Sequence, residues 1–323
     1  MFYQGKNVLI VGGDTRFGHS LIRKLLDQGA HVRATTSGSH DIDVTDNHLE
    51  IVTCDLIDQD AIRPVFEDMD IVFLAAYKSA GVKVMKTDSS SLFMHNIDLQ
   101  PKLIHMAATA RVQRVGFVSS SYVYPYTGKP NIESEGFQGD PLIPTNYGIG
   151  WCYRYLETLC KHFHMTTKTD YAIIRPSAYY GPYDNFSREE GHVIPASIVK
   201  AIERMDPYEV WGDGNDVRSF IYVDDLIEGF MATVESYPVA EPINICARDT
   251  HTIKDVVRII LDHVGFSPRI VFSTDQPSAA PYIAPDPGRA RELLNWEDKI
   301  SLEEGLKRTI DWYIEWRTLD GSS

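Results

Sequence analysis

Short apolar runs recur through the first half of the chain, at residues 8–11, 31–35, 50–54, 71–76, 115–119 and 172–175. Between them lie stretches with helical spacing of apolar positions, over residues 18–28, 58–67, 93–110 and 147–164. Continuous apolar strands are buried on both faces, and their alternation with helices predicts a parallel sheet covered on each side. The expected class is therefore α/β, a doubly wound Rossmann sheet, with ligands at the carboxyl ends of the strands.

The texture changes after Arg175-Pro176. Elements shorten, Pro and Gly become more frequent, and the alternation loosens. A strand over 219–223 followed by a helix over 224–236, begun by Asp224 or Asp225, reads as a return to the first domain. Further amphipathic helices are expected over 252–264 and 302–316. The predicted organisation is a Rossmann dinucleotide domain over 1–176, rejoined by 219–236, and a smaller α/β substrate domain over 177–323.

At 323 residues the chain can bury a sizeable core. Its net charge of −14 argues against a nucleic-acid partner, which needs a clustered cationic face. A local pocket of arginine and backbone N–H groups can still hold a phosphate. No apolar run approaches the roughly 18 residues of a membrane span. The four cysteines, Cys54, Cys152, Cys160 and Cys246, have no spacing suited to zinc and read as free thiols, with no metal site. The first strand begins almost at once and leaves no room for a signal peptide, so a cytoplasmic protein is expected.

The segment Val11-Gly12-Gly13-Asp14-Thr15-Arg16-Phe17-Gly18 joins the first strand to the first helix, where a dinucleotide fingerprint must sit. Gly12 allows the tight turn, Gly18 allows helix and strand to pack closely, and the pyrophosphate would rest on N–H groups at the helix N-terminus. In the spacing G-x-x-G-x-x-G the middle glycine is Thr15, whose hydroxyl is a candidate phosphate donor. An NAD-type site wants a carboxylate at the end of the second strand. That stretch reads Arg33-Ala34-Thr35-Thr36-Ser37-Gly38, with no acid until Asp41. Arg16 and Arg33 are then left to face a 2′-phosphate, which tilts the expected cofactor towards NADP over NAD.

With these residues in view, the chain resembles the extended short-chain dehydrogenase/reductase family of nucleotide-sugar epimerases, dehydratases and reductases, along nearly its whole length. Asp55-Leu56 resembles the family's adenine-contacting segment, and Leu74-Ala75-Ala76 the segment that lies along the cofactor. Ser120, within 119–124, matches the active-site serine, and Tyr147 the catalytic tyrosine. The stretch 175–182, with Pro176 and Ala178, matches the loop under the nicotinamide. The second half is similar to the GDP-L-fucose synthases, in Asp184-Asn185-Phe186, in 192–196, in Val210-Trp211-Gly212 and in Arg218-Ser219-Phe220. The resemblance makes His192 an epimerisation acid and places Asn185, Trp211 and Arg218 on a nucleotide-diphosphate sugar, a GDP-sugar by the same token. It also implies a homodimer paired through the helices 93–110 and 147–164, the second carrying Trp151, Tyr153, Tyr155 and Leu159.

Three departures set this chain apart. The lysine four residues after the tyrosine is Trp151. Residues four apart share a helix face, so Tyr147 loses the cation that would favour its anion. A free phenol titrates near 10, which leaves Tyr147 a poor base but a serviceable proton donor. The epimerisation cysteine is Tyr122, so an inversion needing two groups on opposite faces has only His192, unless Tyr122 serves. The expected Asn of the nicotinamide loop is Ala178. Candidates to restore the lost charge are Arg154, roughly 10 Å along the helix from Tyr147, and Lys78 and Lys86 from the loop after the fourth strand. The reading that results is an NAD(P)-binding nucleotide-sugar enzyme with an atypical active site. Its alternatives are a non-redox lyase or isomerase with a structural dinucleotide, or a non-catalytic nucleotide-sugar-binding protein.

Overall fold

A computed structural model describes residues 1–38, 42–79, 81–141, 147–276 and 279–319. The first strands are β1 (Asn7–Val11), β2 (His31–Thr36), β3 (Leu49–Thr53), β4 (Ile71–Leu74), β5 (Arg114–Val118) and β6 (Asp170–Pro176). They are followed by β7 (Ala178–Tyr180), β8 (Tyr208–Trp211), β9 (Val217–Tyr222), β10 (Val239–Ile245), β11 (Thr250–Thr252), β12 (Ile270–Ser273) and β13 (Tyr282–Ile283). The helices are α1 (Arg16–Asp27), α2 (Gln59–Ile62), α3 (Val82–Thr87), α4 (Ser89–Thr109) and α5 (Tyr147–Thr166). Beyond them come α6 (Val193–Ile202), α7 (Val223–Ser236), α8 (Ile253–Val264), α9 (Gly288–Leu294) and α10 (Leu302–Leu319).

Seven strands form one sheet in the order β10-β6-β5-β4-β1-β2-β3, every neighbouring pair parallel. Alternate residues of its central strands enter two different cores. Val8, Ile10, Phe73 and Ile174 pack with residues of α1 and α7, whereas Leu9, Val11, Val72, Leu74 and Phe117 pack with residues of α4 and α5. Both sets are buried, which is why the runs read as continuously apolar. The chain order reverses between β1 and β4, and the crevice outside their carboxyl ends is where such sheets take ligands.

The helix expected over 58–67 is broken in two. Asp58 caps α2, accepting from Asp60 and Ala61 N–H groups, but Pro64 carries no N–H and the chain continues as a 3-10 turn over Arg63–Phe66. The sequence pattern also misses β10, which carries Glu241, Pro242 and Asn244 among its apolar residues. Pro242 sits in a strand at the edge of the sheet, next to a register shift, where a missing N–H is tolerated. Helix α7 packs between α1 and the strands β5 and β6. The remaining strands form smaller sheets: β9 pairs with β7, β11 and β13, and β8 with β12. They close the crevice from the other side.

Candidate active site

Gly12 turns the chain at φ +95°, and a Cβ there would lie 2.8 Å from Ala76 Cα, so the ends of β1 and β4 touch at the reversal point. A Cβ on Gly18 would strike the Gly12 carbonyl. Ala75 N–H donates to Val11 O at 2.9 Å and Gln100 to Ala76 O, which lays Leu74-Ala75-Ala76 along β1. The Thr15 hydroxyl is occupied within the turn: it donates to Gly12 O at 2.9 Å and accepts from Gly18 N–H at 2.9 Å as the N-cap of α1. The expectation that it donates to phosphate is corrected on that ground. The N–H groups of Arg16 and Phe17, by contrast, meet no acceptor among the described residues. Two free donors at a helix N-terminus fit a pyrophosphate. Cys54 N–H donates to Thr36 O, which sets Asp55 and Leu56 beside the end of β2.

Both arginines expected at a 2′-phosphate are held elsewhere. Arg33 donates to Glu50 at 2.6 Å, to Val65 O at 3.1 Å and to Glu67 O at 3.2 Å. Arg16 pairs with Asp184 and stacks 3.9 Å from the centre of the Tyr179 ring. Asp41, the first acid after β2, lies outside the described residues.

One cavity at the carboxyl edge of the sheet gathers Arg16, Ser120, Tyr122, Pro176, Ala178, His192, Trp211 and Arg218. Ser120 caps a single 3-10 turn and accepts the Tyr122 N–H at 3.1 Å, so its own hydroxyl hydrogen is free to donate into the cavity. His192 is the N-cap residue of α6, with Nδ1 3.4 Å from an Arg16 Nη1 and 3.6 Å from Asp184 Oδ1. Nδ1 thus faces both a donor, the Arg16 guanidinium, and an acceptor, the Asp184 carboxylate. Burial pushes the Tyr122 phenol above its usual range, against the pull of Arg218, which makes it a donor and a poor base. Arg218 is buried and anchored to Val217 O and Asp216. Trp211 Nε1 donates to Glu209 at 3.3 Å, and Lys200 stands over its ring.

Tyr147 is not brought to the cavity wall: it opens α5, is 46 % exposed and meets Trp151, itself 43 % exposed, edge to face. Asn185 accepts the Ser187 N–H and shapes its loop instead of lining the cavity. Arg154 is tied to Val123 O and Gly139 O, which removes it as a stand-in for the lysine. Lys78 lies on the cavity wall and Lys86 does not. The residues the sequence pattern passes over are Tyr77 and Tyr179, whose hydroxyls meet within the cavity, and Asp184, the buried partner of both Arg16 and His192. A buried acid beside a singled-out Asn carries no local signal. Among the described residues no cluster suits a metal ion, and no helix is long and apolar enough to cross a membrane.

Residues 8–246 match the NAD dependent epimerase/dehydratase family, and the chain belongs to it. GDP-L-fucose synthase of Escherichia coli is 31 % identical over 80 % of this chain and 85 % of that protein. Putative GDP-L-fucose synthase 2 of Arabidopsis thaliana is 29 % identical over 98 % and 94 %. The fold is shared with UDP-glucose 4-epimerase of Thermotoga maritima, at TM-score 0.85 and 22 % identity over 96 % of this chain and 99 % of that one. It is shared equally with the UDP-glucuronic acid 4-epimerase of Bacillus cereus, solved with UDP-glucuronic acid and NAD, at TM-score 0.84 and 22 % identity over the same shares.

Proposed function

We propose that this chain is an NAD(P)-dependent enzyme acting on a keto sugar carried by a nucleoside diphosphate. The observation that carries the reading is the convergence of Ser120, Tyr122 and His192 with Arg218 and Trp211 on one cavity, with Arg16 of the first turn of α1 on its wall. When bound, the dinucleotide supplies hydride exchange. Ser120 donates to the sugar carbonyl oxygen, and Tyr147, at the family position of the proton donor but off the cavity wall, reaches that oxygen only by turning toward the cavity. His192 and the Tyr122 hydroxyl, the latter held protonated by burial, hydrogen-bond and orient the sugar. Arg218 takes the diphosphate, for which a planar guanidinium is suited. The similarity to GDP-L-fucose synthases in 192–196 and 210–220 supports a GDP-sugar.

The working form is a homodimer through α4 and α5, supported by the exposed Met94, Trp151 and Tyr155 on these adjoining helices, whereas Tyr153 is buried in its own core. Four free thiols, three of them buried, support a reducing cytoplasm.

The test is to incubate the protein with reduced nicotinamide dinucleotide and 4-keto-6-deoxy sugars on GDP, UDP or dTDP, following nicotinamide absorbance and sugar products. Turnover fastest on the GDP-sugar is expected. Dinucleotide binding without conversion of any sugar would overturn the enzymatic reading.

A further inference from the structure

The second strand of the sheet ends in Thr35-Thr36-Ser37-Gly38, with no acid of its own. The turn after β1 supplies one. Asp14 reaches across so that its Oδ2 accepts from the Thr36 hydroxyl at 3.0 Å, the Ser37 N–H at 2.9 Å and the Ser37 hydroxyl at 2.8 Å. Three donors from one dipeptide pin the carboxylate at the carboxyl end of β2. No donor among the described residues reaches its other oxygen, Oδ1.

That place in a parallel dinucleotide-binding sheet receives the adenosine ribose, where a carboxylate accepts from the hydroxyls and a cation accommodates a 2′-phosphate. Here the carboxylate is present. The nearest strand cation, Arg33, is held by Glu50 and two carbonyls, and Arg16 is held by Asp184. We infer that Asp14 selects NAD(H) against NADP(H), doing from the glycine turn what a strand-end acid would do. This rests on the dinucleotide reading above and reverses the preference expected from the arginines alone. A 2′-phosphate carries close to two negative charges, and placing it beside a pinned carboxylate is repulsive, whereas a ribose diol donates to Oδ1.

The experiment is a fluorescence titration of wild type, Asp14→Asn and Thr36→Val with NADH and NADPH separately, at one low salt concentration. Wild type is expected to bind NADH tighter than NADPH by about tenfold or more, from like-charge repulsion across a partly screened gap. Asp14→Asn keeps an acceptor for Thr36 and Ser37 but removes the charge, and should tighten NADPH until the two affinities are similar. Thr36→Val loosens the pin and should narrow the ratio less. Equal or tighter NADPH binding by wild type overturns the inference while leaving the dinucleotide reading intact. So does an unchanged ratio in a folded Asp14→Asn. Failure of folded wild type to bind either dinucleotide overturns both.

Discussion

The Arg16 guanidinium, in the first turn of α1, forms a buried ion pair with the Asp184 carboxylate, in the loop after β7. The pair joins the glycine turn to the segment that presents His192, whose Nδ1 both partners face. Burial alone would push the Asp184 carboxyl up, but the charge of Arg16, with a lesser contribution from His192, holds it down to about 2. Burial likewise works against the charge of Arg16, and Asp184, with Tyr179 and Tyr77, raises its pKa regardless.

The first prediction concerns acid stability. A carboxylate whose pKa is lower in the folded than in the unfolded chain, where it is about 3.9, contributes stability above that value. The contribution is lost as the pH falls towards the folded value. The unfolding free energy of wild type minus that of Asp184→Asn should therefore shrink between about pH 4 and pH 2. Arg16→Met leaves the carboxylate buried without its partner and should cost about 3–5 kcal/mol near neutral pH. Urea titrations across pH check both, and a flat difference curve would refute the coupling.

The second concerns Tyr147. Trp151 is half exposed, so Trp151→Lys removes little core and places an ammonium one turn from the phenol. A neighbouring cation favours a phenolate over the phenol. Trp151→Lys should therefore raise kcat/KM in the alcohol-oxidising direction, and Tyr147→Phe should remove that gain. Rates indifferent to both substitutions would remove Tyr147 from the chemistry.

The third separates the two loop lysines. The Lys78 backbone is clamped by Asn96, which accepts its N–H at 3.0 Å and donates to its carbonyl at 2.9 Å, and the residue lines the cavity. Lys78→Ala should lower kcat/KM by about ten- to hundredfold, the range for losing one charged hydrogen bond to a substrate or cofactor. Lys86→Ala, off the cavity wall, should leave it unchanged. Equal effects from the two would argue for a general electrostatic contribution of the loop.

The parts of the fold legible from the sequence are those where one physical demand acts locally. A strand buried on both faces is apolar along its buried stretch, so β1, β4, β5 and β6 declare themselves. An edge strand with Pro242 meets no such demand, and β10 does not. Ser120, His192, Trp211 and Arg218 were visible as residue types in familiar settings, and the cavity unites them. The direction taken by a charged side chain was not visible, because it depends on partners far along the chain. Arg16 finds Asp184, Arg33 finds Glu50, and Asp14 finds Thr36 and Ser37. The cofactor preference read from the arginines therefore loses its support for a definite reason: each positive charge already has its acid.

The last prediction tests the support beneath the serine. Glu157 of α5 accepts from Arg175 Nε at 2.8 Å and Nη2 at 2.7 Å, and from the Ser119 hydroxyl at 2.5 Å. Arg175, fully buried, also donates to the Tyr124 hydroxyl and the Glu133 carbonyl. The cluster ties α5 to the ends of β5 and β6, from which Ser120 and the segment 176–180 project into the cavity. Glu157→Ala strands a buried guanidinium and should cost about 3–5 kcal/mol. The paired replacement Glu157→Leu with Arg175→Met removes both charges, and should recover much of that stability, since a well-packed apolar pair often matches a buried ion pair. Activity should not return with it, because Ser119 has lost the acceptor that holds its neighbour Ser120 in place. Recovery of both stability and kcat/KM in the paired variant would show that the ion pair only holds the fold, with no part in placing the serine.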